Sequence, residues 1–181
     1  MGKKALIIID IQNDYFPGGK FTLDNSEKAG TKAAQVLNYF RENGLPVIHI
    51  QHISIKEGAF FFLPGTEGVK IHECVKPLED ETVVLKNFPN SFLQTNLDSV
   101  LKKLGAEELV ICGMMSNMCV DATTRAAGDT GYKCTVVHDA CCGANLEFEG
   151  VKAGSAEVHA GFMASLGMFY AQMVSADELT A

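Results

Sequence analysis

Glu108-Leu-Val-Ile-Cys-Gly-Met-Met-Ser-Asn-Met-Cys119-Val-Asp-Ala-Thr-Thr-Arg-Ala-Ala127 reads as a strand that runs through a turn into a helix. The apolar run Leu109–Cys112 is the strand. Gly113 opens the turn, and the Ala- and Thr-rich stretch beyond it has no Gly or Pro before Gly128. Ser116 is an N-cap candidate, because its hydroxyl can accept a hydrogen bond from an early helix N–H. A helix from Ser116 to Thr130 then places Cys119 in its first turn. Helix N-termini carry partial positive charge and unpaired N–H groups. Such a position lowers a thiol's pKa and offers donors to a developing oxyanion. The competing reading is a buried structural cysteine, the ordinary fate of a free thiol, and local context leaves both open.

Working outward, apolar runs alternate with helical periodicity. Strands are expected at Ala5–Ile9, Val47–Ile50, Thr82–Leu85, Leu109–Cys112, Lys133–His138 and Phe169–Val174. Helices are expected from Ser26 to Asn43, Leu93 to Leu104, Ser116 to Thr130 and Ser155 to Leu166. The first presents Ala29, Ala33, Val36, Leu37 and Phe40 on one face, with Gly44 as its stop. Alternating β and α units with near-continuous apolar strands predict an α/β fold, a parallel sheet covered on both faces. No linker or repeat interrupts the pattern, so residues 1–181 read as a single domain.

The bulk numbers exclude several classes. A net charge of -7 argues against a nucleic-acid partner, which needs a basic patch. The apolar runs fall far short of a membrane span. Met1-Gly-Lys-Lys leads straight into a strand without a signal-peptide cleavage site, and six cysteines then point to reduced thiols and a cytoplasmic location. Cys112 and Cys134 lie in apolar runs and read as core. Cys141 and Cys142 are adjacent rather than spaced as a CxxC pair, and no second pair lies nearby to build a zinc site.

Ligands in open α/β sheets bind at the carboxyl ends of the strands. There the chain places Asp10-Ile-Gln-Asn-Asp14, Gln51-His52, Lys86 and the turn leading to Cys119. An Asp, a Lys and a Cys on three strand ends form a plausible catalytic set. The carboxylate can take the thiol proton and later give it to a leaving amine. The Lys keeps the carboxylate charged and favours thiolate. The connection from His52 to Glu81 is long for a compact domain, which suggests function. It carries Phe60-Phe-Phe62, which cannot all face one core.

These motifs carry a resemblance. Asp10 in Ile9-Asp-Ile-Gln-Asn13, Lys86 in Leu85-Lys-Asn-Phe-Pro-Asn-Ser-Phe92 and Cys119 in Gly113-Met-Met-Ser-Asn-Met-Cys-Val120 resemble the catalytic aspartate, lysine and cysteine of the isochorismatase-like cysteine hydrolase superfamily, over nearly the whole chain. The resemblance implies a Rossmann-like, three-layer α/β/α fold with a six-stranded parallel sheet. It implies a cis peptide at Met114–Met115 and an oxyanion hole made by the backbone N–H groups of Met115 and Cys119. It also implies a hydrolase that cleaves a small-molecule amide through a thioester, needs no cofactor and assembles as a homodimer or homotetramer. The retained cysteine disfavours isochorismate's vinyl ether as substrate, since members cleaving it typically lack that residue. The motif points instead to an uncharacterised, non-nicotinamidase branch. The nicotinamidase metal motif, Asp-x-His followed by further His, is replaced by Gln51-His-Ile-Ser. His52 and His72 remain, and no metal is expected. Two rivals are a metal-assisted nicotinamidase-type hydrolase and a non-enzymatic ligand-binding or redox-sensing module using Cys119.

Further residues read less sharply. Asn13 either holds Asp10 or substrate, or caps a turn. Phe16 and Phe62 suit a pocket wall, and His52 and Met114 join them as candidate substrate contacts. Asn87 and Ser91 read as caps of the next helix, Asp121 and Arg125 as an i, i+4 ion pair. His138 and Asp139 read as core or turn residues and His159 as structural.

Overall fold

Ala5 to Ile9 pass through the middle of the molecule with no side chain exposed above 1%. A strand buried on both faces in this way needs neighbours on each side and helices above and below. A computed structural model describes residues 2–181. In chain order its regular elements are β1 (Lys3–Ile9), α1 (Ser26–Glu42), β2 (Val47–His52), β3 (Thr82–Lys86), α2 (Leu97–Leu104), β4 (Ala106–Met114), α3 (Asp121–Asp129), β5 (Lys133–Cys142), β6 (Leu146–Phe148), β7 (Val151–Ala153), α4 (Ser155–Gly167), β8 (Ala171–Val174) and α5 (Ala176–Thr180). The main sheet has six strands in the order β3-β2-β1-β4-β5-β8. All its pairings are parallel. Strand order reverses between β1 and β4, so connections leave in opposite directions there and open a crevice at the carboxyl ends.

The predicted six-stranded parallel architecture matches, and most of the differences lie at the ends of elements. Every predicted strand but the last extends further than its apolar run, because ladder pairing continues through polar residues such as His52 and Lys86. The last strand begins at Ala171 instead of Phe169, whose ring is exposed. The second predicted helix starts four residues late, at Leu97, whose N–H donates to Thr95 Oγ1. Asn87 and Ser91 are therefore not its caps. Asn87 Nδ2 donates to the Ile53 carbonyl, and Ser91 Oγ bonds Thr123 Oγ1. β3 is an edge strand with Val83 and Leu85 facing outward, so the sheet is not covered on both faces along its whole width. A short antiparallel hairpin, β6–β7, went unpredicted. Its turn uses Glu149 and Gly150, both with φ > 0, which matches the twist of tight hairpins.

The long connection between β2 and β3 is tied down by a half-buried ion-pair cluster. Arg41 on α1 contacts both oxygens of Glu81 at 2.8 Å, and His49 on β2 bonds Glu81 Oε2 at 2.9 Å. The Leu78 N–H adds a further bond. Burial pushes the Glu81 carboxyl up, but Arg41 and these donors outweigh it and hold it at about 2, below the ordinary 4.5. Burial lowers the pKa of His49. As a neutral ring it donates its Nε2–H to Glu81. A depressed carboxyl stabilises the fold fully above its unfolded pKa and loses that contribution as pH falls through the folded value. Glu81→Gln is expected to lower unfolding stability by about 2 kcal/mol at pH 7. The gap between variant and wild type should narrow in urea titrations between pH 4.5 and 2. A gap of equal size at pH 3 and pH 7 would rule out the ion pair as its source.

Candidate active site

Three strand ends converge at the crevice. β1 delivers Asp10, which turns the chain with φ 51, a left-handed conformation that Asp tolerates better than most residues. β3 delivers Lys86, paired in register with His52 of β2. β4 ends in the cis Met114–Met115 peptide, and a π-helical turn, Ser116–Val120, carries Cys119 before α3 begins. Gly113 makes this approach possible. Its φ is 131, and a Cβ there would sit 2.0 Å from the Ile9 carbonyl oxygen, so only glycine lets β4 pass this close to β1.

The polar groups meet around one ammonium. Lys86 Nζ lies 2.7 Å from Asp10 Oδ2, 3.0 Å from His52 Nδ1, 3.1 Å from the Phe88 carbonyl oxygen and 3.2 Å from Cys119 Sγ. Asp10, Lys86 and Cys119 are 0%, 2% and 5% exposed, so the cluster is almost wholly withdrawn from solvent. Lys86 is the one cation paired with the Asp10 carboxylate among the described residues, and the Cys119 thiol lies beside the same carboxylate. Burial alone would lower the Lys86 pKa, but the charges of Asp10 and Cys119 reverse this and raise it, so the ammonium stays protonated. A charged ammonium has no lone pair, so His52 Nδ1 must accept. Burial, then Lys86, lower the His52 pKa. The ring is therefore neutral and carries its proton on Nε2.

Cys119 departs from expectation in one respect. Its thiol pKa is raised, first by burial and then by the Asp10 charge, and Lys86 offsets only part of this. The turn around it is also not a helix start capped by Ser116. Ser116 Oγ instead bonds His159 Nδ1 of α4 at 2.7 Å, and Asn117 Oδ1 accepts from the Ala144 N–H. The resting cluster is thus thiol, carboxylate and ammonium. Proton transfer from Cys119 to Asp10 would convert it to thiolate, carboxylic acid and ammonium with no change in net charge. The Lys86–sulfur contact strengthens as thiolate forms.

The atoms of Asp10, His52 and Cys119 that are able to bind metal lie within 4.8 Å of one another. Lys86 Nζ touches all three, so the positive charge such a set would attract is already supplied by the ammonium. The residues do not fit a metal here. Gln51, at the position of the nicotinamidase motif, donates to the Val69 carbonyl. His72 stacks on Phe16 with ring centroids 3.6 Å apart and faces Cys74.

The sequence-predicted substrate contacts separate into two places. His52 joins the Lys86 cluster, Met114 ends β4 beneath the turn, and buried Phe62 lies 5.9 Å from the His52 ring. Asn13 and Phe16 line a different cleft of about 440 Å³ with His72, and the lining does not include Asp10, Lys86 or Cys119. The Asn13 amide donates to the Glu67 carbonyl and does not hold Asp10. Sequence reasoning missed Gln12 and Asp14. Gln12 Nε2 donates to the carbonyls of His52 and Val69, while its Oε1 accepts from the His52 N–H. Asp14 accepts from the Phe62 and Lys20 N–H groups and leaves room only for glycine at position 68. The alternation Asp10-x-Gln12-x-Asp14 directly after a strand was their available signal.

Among the described residues, no helix is long and apolar enough to cross a membrane. The isochorismatase domain family matches residues 4–163. An uncharacterised isochorismatase family protein of Bacillus subtilis (strain 168) is 54% identical over 92% of this chain and 93% of its own length. The crystal structure of a candidate isochorismatase hydrolase from Oleispira antarctica superposes with a TM-score of 0.95 at 49% identity, covering 99% of this chain and 96% of that one. Streptothricin hydrolase of Streptomyces noursei is 32% identical over 76% of this chain and 49% of its own length.

Proposed function

This chain belongs to the isochorismatase family of hydrolases, and we propose that it cleaves the C–N bond of a small amide through a thioester on Cys119. The observation that carries this reading is the buried bridge in which Lys86 Nζ contacts both Asp10 and Cys119. Asp10 takes the thiol proton. The thiolate forms a bond to the carbonyl carbon, and the oxyanion accepts hydrogen bonds from the N–H groups of Met115 and Cys119. When the oxyanion collapses, the C–N bond breaks and the amine leaves with the proton from Asp10. Water then gives a proton to Asp10 as its oxygen attacks the thioester. The C–S bond breaks, the acid departs, and the proton returns to sulfur. A carboxylate that handles a proton in each half-reaction suits an amine leaving group, which must be protonated to depart.

The test is ammonia release across a panel of small primary amides, with intact mass spectrometry to catch the acyl adduct. Release accompanied by an adduct at Cys119 is expected. A protein that frees no ammonia from any amide yet oxidises at Cys119 with peroxide would be a redox sensor, and the hydrolase reading would fail.

A further inference from the structure

The hairpin β6–β7 is uncovered by its own chain. Its register sets Leu146 opposite Ala153 and Phe148 opposite Val151, so these four share one side, while Glu147 and Lys152 pair across the other. The apolar side bounds a hollow of about 420 Å³, and Phe148 and Val151 are 77% and 73% exposed. A lone two-stranded hairpin is marginal in water unless its apolar side packs on something. A second uncovered surface adjoins it. α4 is apolar almost all round, a pattern that belongs to a buried helix, yet Ala160, Gly161 and Ala164 are exposed. No Asp, Glu, Lys or Arg occurs from Val158 to Ala176. Met168 and Phe169, just past the helix, are both 86% exposed. Gly161 sets this face apart from ordinary surface. Glycine is among the poorest residues for a helix interior. A Cβ at position 161 would meet nothing within 4 Å, so packing within the chain does not require glycine there. Close approach of a second backbone does.

We infer that this face docks a second copy of the chain, with the two α4 helices antiparallel and crossing at Gly161, the middle residue of the helix. A helix of 13 residues is ~20 Å long. An antiparallel crossing at its centre lays the hairpin at the start of each α4 over Met168 and Phe169 at the end of the other. The hollow of each hairpin receives those protruding side chains, and the contact occurs twice, as a two-fold requires. The face is therefore self-complementary, with a concave apolar end, a protruding apolar end and small residues between. Its exposed apolar side chains come to roughly 700 Å² per copy, close to the ~800 Å² per partner of a stable interface. Beyond Glu157 the outer side of α4 offers no charge, so a strongly acidic or basic partner has nothing to pair with.

Sedimentation velocity of the full chain over a micromolar dilution series tests this. Wild type should sediment as a dimer or an even multiple of it. Gly161→Gln should halve that mass and raise the dissociation constant roughly 100-fold, because its side chain has open space in the single chain and none in the interface. Far-UV circular dichroism should show its helix content intact. Phe169→Ser, at an exposed position, should dissociate the assembly in the same way. Cross-linking reads the antiparallel register. Val151→Cys and Met168→Cys proteins, mixed dilute, concentrated and oxidised in air, should join to each other in preference to themselves, with the linked peptides identified by mass spectrometry. The native cysteines are buried or half-buried and interfere little. A monomeric wild type, an assembly unmoved by both Gly161→Gln and Phe169→Ser, or cross-links only between like cysteines would each overturn the inference.

Discussion

Cys119→Ala is expected to reduce amide turnover by ~10⁴-fold or more, while the fold survives. The sulfur is the one atom at the site able to form the thioester, and the neighbouring groups cannot replace it. Lys86 is held as an ammonium and has no lone pair to attack with. His52 is neutral, but its Nδ1 lone pair is already engaged by Lys86. Loss of one buried sulfur from a tight site costs on the order of 1 kcal/mol, which shifts the melting midpoint by a few degrees. Cys119→Ser should be nearly as inactive, because a hydroxyl is far harder than a thiol for Asp10 to deprotonate. Ammonia release and the acyl adduct should disappear together in both variants. Turnover by the Ala variant at a rate near wild type would end the thioester scheme.

The parts of the site legible in the sequence were those that end apolar runs. Ile9-Asp10, Leu85-Lys86 and the turn after Cys112 each place a polar group where a buried strand stops, and a parallel sheet brings such ends to one edge. What escaped were groups whose partners are distant backbone atoms. Gln12 and Asp14 bond main-chain groups some forty to sixty residues away, and composition around those partners gives no hint of it. Ser116 misled for a related reason. A serine at a strand-to-helix turn has the chemistry of a cap, but a histidine 43 residues later competes for its hydroxyl and wins.

The thiol's pKa shows a different limit. A helix start favours thiolate, and the sequence displays that start, but it does not display how deeply the turn is sealed. Burial dominates at Cys119 and raises the thiol's pKa, so under the proposed scheme the sulfur needs Asp10 as its base. In the proposed scheme that need puts the neighbouring ion pair at the centre of the reaction. It also explains how two charges can sit in a core position, since each is the other's main compensation.

Lys86→Met is expected to do damage of two kinds that can be separated. The ammonium is the one cation paired with the Asp10 carboxylate among the described residues, so its removal leaves a buried charge uncompensated. Stability should fall by about 3 kcal/mol, the scale seen when one member of a buried pair is deleted. Turnover should fall on the order of 10³-fold, because the forming thiolate also loses the cation that stabilises it. The double variant Asp10→Asn, Lys86→Met separates the two. With both charges gone and side-chain volume nearly kept, most of the lost stability should return in urea melts. Activity should not return, since no group remains to carry the proton from sulfur to the leaving amine. If the double variant were no more stable than Lys86→Met alone, the buried pair would not be the origin of the loss. If it regained turnover, proton transfer would not pass through Asp10.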